Sequence, residues 1–164
     1  MHNKAITALT LGLAMAVSPA LAHKSHAHSG KSVPVAKEQK EWGIAGDPAA
    51  VHRTLRITMS DTLRFTPDRL QVAQGEVVRF VVTNAGKMPH EMVIGTRKEL
   101  DEHAALMEKF PTMVHDEPYM AHVPPAHRSE LVWNFNRAGE FEFACLIPGH
   151  YQAGMLGRIK VTPR

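Results

Sequence analysis

One loop near the C-terminus constrains the fold more than any other segment of the chain. Cys145 ends a stretch in which apolar residues alternate with polar ones, and residues 158–162 form another such stretch. Between the two stretches, four residues separate Cys145 from His150, and four more separate His150 from Met155. Glycine and proline residues allow this segment to turn tightly. The pattern predicts a loop between two β-strands that presents a thiolate, an imidazole and a thioether in series.

A second imidazole, that of His90, follows a predicted strand that ends at Asn84. Thiolate and thioether ligands favour Cu(I), and imidazoles hold Cu(II), so these four side chains suit a mononuclear copper site. Zinc is the structural alternative, although zinc sites usually use more cysteines or a carboxylate instead of methionine. A cysteine nucleophile paired with His150 is a third interpretation, which leaves Met155 and the second imidazole unexplained.

The remaining pattern predicts an all-β domain with one inserted helix. Alternating apolar residues or β-rich composition mark seven short strands, at 55–59, 65–72, 76–84, 92–95, 131–135, 141–145 and 159–161. Thr96 and Glu99 form a capping box for a helix that Pro111 ends, and Met107 lies on the apolar face of that helix. Residues 111–128 contain four prolines and are predicted to be a long irregular loop. Together these elements predict a single antiparallel β-sandwich.

The N-terminal residues predict export. Residues 1–22 contain Lys4, an uncharged run at 5–17 and an A-x-A ending at Ala22, which is typical of a secretory signal peptide. The run is too short to span a bilayer, so no membrane insertion is expected after cleavage. Residues 23–41 are predicted to be a flexible His-rich arm, and residues 42–164 the folded domain.

Charge and cysteine content narrow the function further. The chain has 19 basic and 16 acidic residues, without a run of five like charges, so nucleic acid is not an expected partner. Cys145 is the only cysteine, and an exported protein with a lone thiol needs something to protect it from oxidation. A bound metal would provide that protection.

The sequence from Phe65 to His90, together with the loop from Cys145 to Met155, resembles the plastocyanin/azurin cupredoxin family. Within that family the resemblance is to the periplasmic cupredoxins associated with bacterial copper tolerance. It covers about residues 42–162 and includes the lead-in at 42–47 and the segment at 113–118. The resemblance implies a Greek-key β-sandwich with the inserted helix and long loop between the first histidine ligand and the cysteine ligand. It also implies one copper ion, whose ligands would be His90, Cys145, His150 and, as the long axial ligand, Met155.

The chain has more histidines and methionines than one copper site needs, 11 and 9 respectively. Met107 is predicted to be a core residue and His103 a residue of the helix surface. The candidate accessory copper ligands are His23, His26 and His28 in the arm, and Met113, His115, Met120 and His122 in the loop. The alternative is a solvated arm and an ordinary loop lining.

We therefore expect a monomeric periplasmic copper protein that contributes to copper tolerance by binding copper and by oxidising Cu(I) through electron transfer to a redox partner. The alternative is a soluble electron carrier that docks through an apolar patch around His150. Cuprous oxidase activity is a third possibility, although no residue identifies the acceptor it would need. Ala144 and Leu146 flank Cys145 in place of the histidines of multicopper oxidases, so oxygen reduction is not expected.

Overall fold

The computed structural model describes residues 37–113 and 115–164. Within these residues there are ten strands and one α-helix. In chain order they are β1 (Ile44–Ala45), β2 (Arg53–Ser60), β3 (Arg64–Thr66), β4 (Arg69–Ala73), β5 (Val77–Asn84), β6 (His90–Gly95), α1 (Arg97–Lys109), β7 (Met120–Val123), β8 (Arg128–Asn134), β9 (Gly139–Ala144) and β10 (Leu156–Thr162). The predicted signal peptide and most of the predicted arm lie outside the described residues. Gln39, near the end of the predicted arm, hydrogen-bonds to Gly43 and Asn136.

Two five-stranded sheets form a sandwich, which confirms the predicted fold class. One sheet has the order β1-β8-β5-β2-β3, and the other has the order β4-β10-β9-β6-β7. The expectation of a purely antiparallel sandwich is wrong, because β2 pairs with β5 and β4 pairs with β10 in parallel. Two strands of one sheet pair in parallel here because the chain between them crosses to the second sheet before it returns to the first.

Alternation along the strands builds the core between the sheets. Leu131 and Trp133 are buried along β8, whereas Val132 between them remains partly accessible. A second apolar cluster lies under α1 and contains Leu100, Ala104 and Met107, as the helical spacing predicted. Thr96 caps the helix by accepting the Glu99 N–H at 3.3 Å. The helix therefore covers the sheet that carries β6 and β9.

Two details of the predicted strands are wrong. The single strand expected at 65–72 is two strands in different sheets, with Pro67 between them. Proline cannot donate to a strand ladder, so it marks the point where the chain changes sheet. The loop expected at 111–128 contains β7, which pairs with β6. Pro118 and Pro124 lie outside that short strand, so the proline count concealed it.

Candidate metal centre

Adjacent strands of one sheet bring the four predicted ligands to the same end. His90 is the first residue of β6, Cys145 directly follows β9, and Met155 directly precedes β10. These strands are neighbours in the order β10-β9-β6. The Cys145 N–H donates to the Met155 carbonyl at 3.1 Å, and the Met155 N–H donates to the His150 carbonyl at 3.0 Å. These two bonds close the loop that carries the last three of the four side chains.

Three donor atoms converge in this loop region. The metal-ligating atoms of His90, Cys145 and His150 all lie within 4.8 Å of one another. Cys145 Sγ is 3.3 Å from His150 Nδ1, and the two imidazole centroids are 5.0 Å apart. Cys145 is fully buried, whereas His150 is partly exposed. The group is therefore enclosed except at one imidazole.

Asp61 orients the His90 ring. His90 Nε2 lies 3.3 Å from Asp61 Oδ1, and because a carboxylate only accepts, Nε2 carries the proton. The same carboxylate accepts the backbone N–H groups of Lys87 and Met88. These two backbone hydrogen bonds, together with the hydrogen bond from the His90 side chain, hold the pKa of Asp61 below its ordinary value. In the neutral ring, the lone pair of His90 then lies on Nδ1.

The Nδ1 atom of His90 is the observation that best fits a metal. It is buried and has no hydrogen-bond partner. Leaving a buried polar atom without a partner costs about 1–3 kcal/mol, so such atoms usually have a role. Burial, with the neighbouring His90, lowers the pKa of His150 and so favours its neutral form. Two imidazole nitrogens beside a thiol suit a borderline or soft metal ion.

The cysteine is held as a thiol when no metal is present. Burial raises the pKa of Cys145 to about 12, although a hydrogen bond from the Glu91 backbone N–H opposes that shift. This N–H lies 3.4 Å from Cys145 Sγ. Because metals bind the thiolate, metal binding at this site must release the thiol proton. The Glu91 N–H then stabilises the negative sulfur.

The side chain of Glu91 links β6, which carries His90, to the loop that carries Cys145. It is buried, and its Oε1 accepts the Leu146 N–H at 3.0 Å, next to Cys145. Its Oε2 is 3.0 Å from His122 Nδ1. Glu91 was not predicted from the sequence, although a carboxylate directly after a predicted ligand was a usable signal. Asp61 was not predicted either, because it is far from His90 in sequence and gave no local signal.

Met155 is fully buried and belongs to the same apolar cluster as Cys145. Its place in the loop, between His150 and β10, brings the residue to the end of the sheet where the other three predicted ligands lie. A weak thioether beside two imidazoles and a thiolate is the donor set of copper electron-transfer sites.

The candidate accessory residues are only partly brought together. His115 and His122 lie close, with ring centroids 5.5 Å apart, and Met113 is exposed beside them. Met120 is instead buried in the apolar cluster under α1. His103, predicted to lie on the helix surface, is half-buried with its Nε2 2.8 Å from His115 Nε2. The three arm histidines, His23, His26 and His28, lie outside the described residues.

Comparison with known proteins decides the family. The family model of the copper binding proteins, plastocyanin/azurin family, matches residues 51–162 of this chain. The chain belongs to this family. It is a copper-binding cupredoxin, which confirms the predicted resemblance and cofactor.

The cupredoxin has curated relatives that share a name. The copper-resistant cuproprotein CopI of Rubrivivax gelatinosus is 48% identical over 120 residues, which is 73% of each chain. CopI of Pseudomonas aeruginosa is 34% identical over 151 residues, covering 74% of this chain and 83% of that protein. CopI of Vibrio cholerae is 31% identical and covers 94% of this chain and 98% of that protein.

Solved structures show the same fold. Auracyanin B is 19% identical with a TM-score of 0.63, covering 76% of this chain and 97% of that one. Auracyanin A, a "blue" copper protein of Chloroflexus aurantiacus, is 18% identical with a TM-score of 0.56, covering 66% and 98%. Among the described residues of the cupredoxin, no helix combines the length and apolar character that a membrane span requires.

Proposed function

We propose that this cupredoxin is exported to the periplasm and contributes to copper tolerance, by binding copper and by oxidising Cu(I) through electron transfer. The observation that carries the proposal is the group of His90, Cys145 and His150, buried except at His150, with all donor atoms within 4.8 Å. The relatives named copper-resistant cuproproteins support the same function. Export rests on the signal-peptide pattern of residues 1–22.

The protein's own residues give this centre its chemistry. Bound copper supplies a one-electron couple between Cu(I) and Cu(II). Cys145 and Met155 favour the reduced ion, and the imidazoles of His90 and His150 hold the oxidised ion. The hydrogen bonds of Asp61 and Glu91 keep the donors in place in either state. Oxidation of a Cu(I) ion releases one electron, which a redox protein partner must accept.

The alternative function is that of a soluble electron carrier. The position of His150 favours this electron-carrier function, because its ring is the partly exposed member of an otherwise buried group. A partner that docks over this imidazole would exchange electrons with the centre along a short path. The copper site is common to both functions, so the physiological effect must separate them. The arm residues His23, His26 and His28 remain predicted accessory copper ligands.

Deletion of the gene should sensitise cells to added copper and leave respiration at low copper normal. The reason is that uncomplexed copper would accumulate in the periplasm when the binding site is lost. Growth across a copper series and oxygen consumption at low copper measure the two effects. Complementation with Cys145→Ala should fail, whereas the wild-type gene should restore growth. Unchanged tolerance together with a respiratory defect would instead establish the electron carrier.

A further inference from the structure

Three imidazoles lie together outside the main centre, on three different elements. His103 is on α1, His115 is in the segment between α1 and β7, and His122 is on β7. His103 Nε2 is 2.8 Å from His115 Nε2, and the His115 and His122 rings meet edge-on at 5.5 Å. The tertiary fold gathers them, since they are separated by 12 and 7 residues along the chain.

Oxygen acceptors fix one nitrogen of two of these rings. His115 Nδ1 is 3.1 Å from the Met113 carbonyl oxygen, which only accepts, so Nδ1 carries the proton. Its Nε2 therefore holds a lone pair, on the side that faces His103. His122 Nδ1 is likewise 3.0 Å from the buried Glu91 carboxylate, but its Nε2 also faces an oxygen acceptor, the His115 carbonyl, at 2.9 Å. A carbonyl or carboxylate on one ring nitrogen, with the other nitrogen left for the metal, is the usual arrangement of metal-binding histidines. His115 already has this arrangement, and His122 reaches it only when Nε2 leaves the carbonyl.

An open groove of about 340 Å³ runs beside the cluster. Its lining includes His115 and His122, two thioethers from Met107 and Met113, and the main-centre residue His90. Imidazoles bind Cu(I) and Cu(II), and thioethers are soft donors that favour Cu(I). The groove thus offers both kinds of donor to an ion, within one continuous surface that reaches the main centre.

In the metal-free arrangement the cluster is looser than the main centre. Within residues 37–113 and 115–164, only His90, Cys145 and His150 have all their donor atoms within 4.8 Å of one another. His122 Nε2 is 2.9 Å from the His115 carbonyl, and one shared proton links His103 to His115. Metal binding would release that shared proton and the Nε2 proton of His122 to solvent, and would turn His122 Nε2 away from the carbonyl. A purely structural cluster would keep both contacts.

We propose that His103, His115 and His122 form a second copper site beside the groove that reaches His90, with Met113 as a further donor to Cu(I). His115 and His122 line the groove, and His103 joins the site through its contact with His115. The proposal rests on the copper-handling function above only for the choice of copper as the ion. Glu91 connects the two sites, because its carboxylate contacts His122 and its backbone N–H contacts Cys145 Sγ. Filling the second site therefore shifts the visible band of the main centre.

The test is a copper titration of the full mature chain with His23, His26 and His28 changed to alanine, so that the arm adds no equivalent. The main centre is first loaded with one Cu(II), and further Cu(II) is added and followed by electron paramagnetic resonance and metal analysis. We expect one more tightly held equivalent, with nitrogen coupling, without a new intense band and with a shift of the existing band.

Matched variants locate that equivalent. The double change His103→Gln and His115→Gln keeps polar side chains in the cluster and should lose the second equivalent. His127→Gln removes an exposed histidine whose ring is hydrogen-bonded to the Pro125 carbonyl, outside the cluster, and should retain the second equivalent. The intense band of the main centre reports in each variant that the protein is folded.

The outcomes separate this proposal from the main one. A second equivalent that survives the double change overturns the site, as does its absence from the parent protein when the main band is intact. Binding of Zn(II) but not Cu(II) at these residues overturns the assignment to copper. Failure of the main band in the parent protein contradicts the copper centre itself, which is a different result from failure of the second site.

Discussion

Replacement of Cys145 by alanine should abolish the intense thiolate-to-copper absorption. Cys145 is the only cysteine of the chain, so no other thiolate can take its place. Its Sγ lies 3.3 Å from His150 Nδ1, inside the proposed ligand set. The fold should survive, because losing one buried heavy atom costs about 1 kcal/mol, similar to the loss of one methylene. Visible absorption and metal content of the purified variant measure the effect.

Met155→Leu is the matched control for that change. It alters another buried residue of the same apolar cluster and leaves the thiolate in place. The leucine variant should keep the intense band and bind copper, with a shifted reduction potential, because a weak thioether ligand at Met155 would tune the centre. If Cys145→Ala retained the colour, the assignment of Cys145 as a ligand would be refuted.

Replacement of Glu91 by alanine should destabilise the metal-free protein by about 2–3 kcal/mol. The buried carboxylate accepts the Leu146 N–H at 3.0 Å and lies 3.0 Å from His122 Nδ1. Alanine leaves the Leu146 N–H buried without an acceptor, and the desolvation cost of that donor is then uncompensated. Denaturant unfolding of the metal-free protein measures the loss. Glu91→Gln should cost less, because its amide oxygen can still accept from Leu146.

Glu130→Ala supplies the comparison for a surface carboxylate. Glu130 is 3.7 Å from Arg79, and both side chains are more than a third exposed, at 52% and 36%. Exposed pairs of this kind contribute little, so the free energy of unfolding should change by no more than about 0.5 kcal/mol. If Glu91→Ala and Glu130→Ala changed the free energy of unfolding equally, Glu91 would not be the residue that stabilises the contact between β6 and the Cys145 loop.

Structural features that depend only on neighbouring residues in the sequence were predictable. The spacing of Leu100, Ala104 and Met107 predicted the buried face of α1, and alternation predicted most strands, because both are properties of a few neighbouring residues. The grouping of His90 with the loop from Cys145 to Met155 followed from ligand chemistry and from the family resemblance. The structure places three of those donors together, and that they bind copper remains a prediction.

Features that depend on distant contacts were not predictable. Asp61 contacts His90 only because the sandwich brings together residues that are 29 apart in sequence. The split of the strand at Pro67 and the pairing of β7 depend on which sheet each segment joins. His103 looked like a surface residue because helical spacing says nothing about the loop that packs over it. Tertiary context decides such positions.

The most direct test of the copper centre is a Cu(II) titration of the mature protein, followed by visible absorption and counted by metal analysis. We expect an intense thiolate-to-copper band that saturates at one equivalent, because the chain has one cysteine. Further equivalents should bind without adding an intense band. Saturation of both colour and metal at one equivalent would favour the electron carrier. The absence of an intense band at any copper concentration would contradict the assignment of Cys145, His90 and His150 as the copper centre.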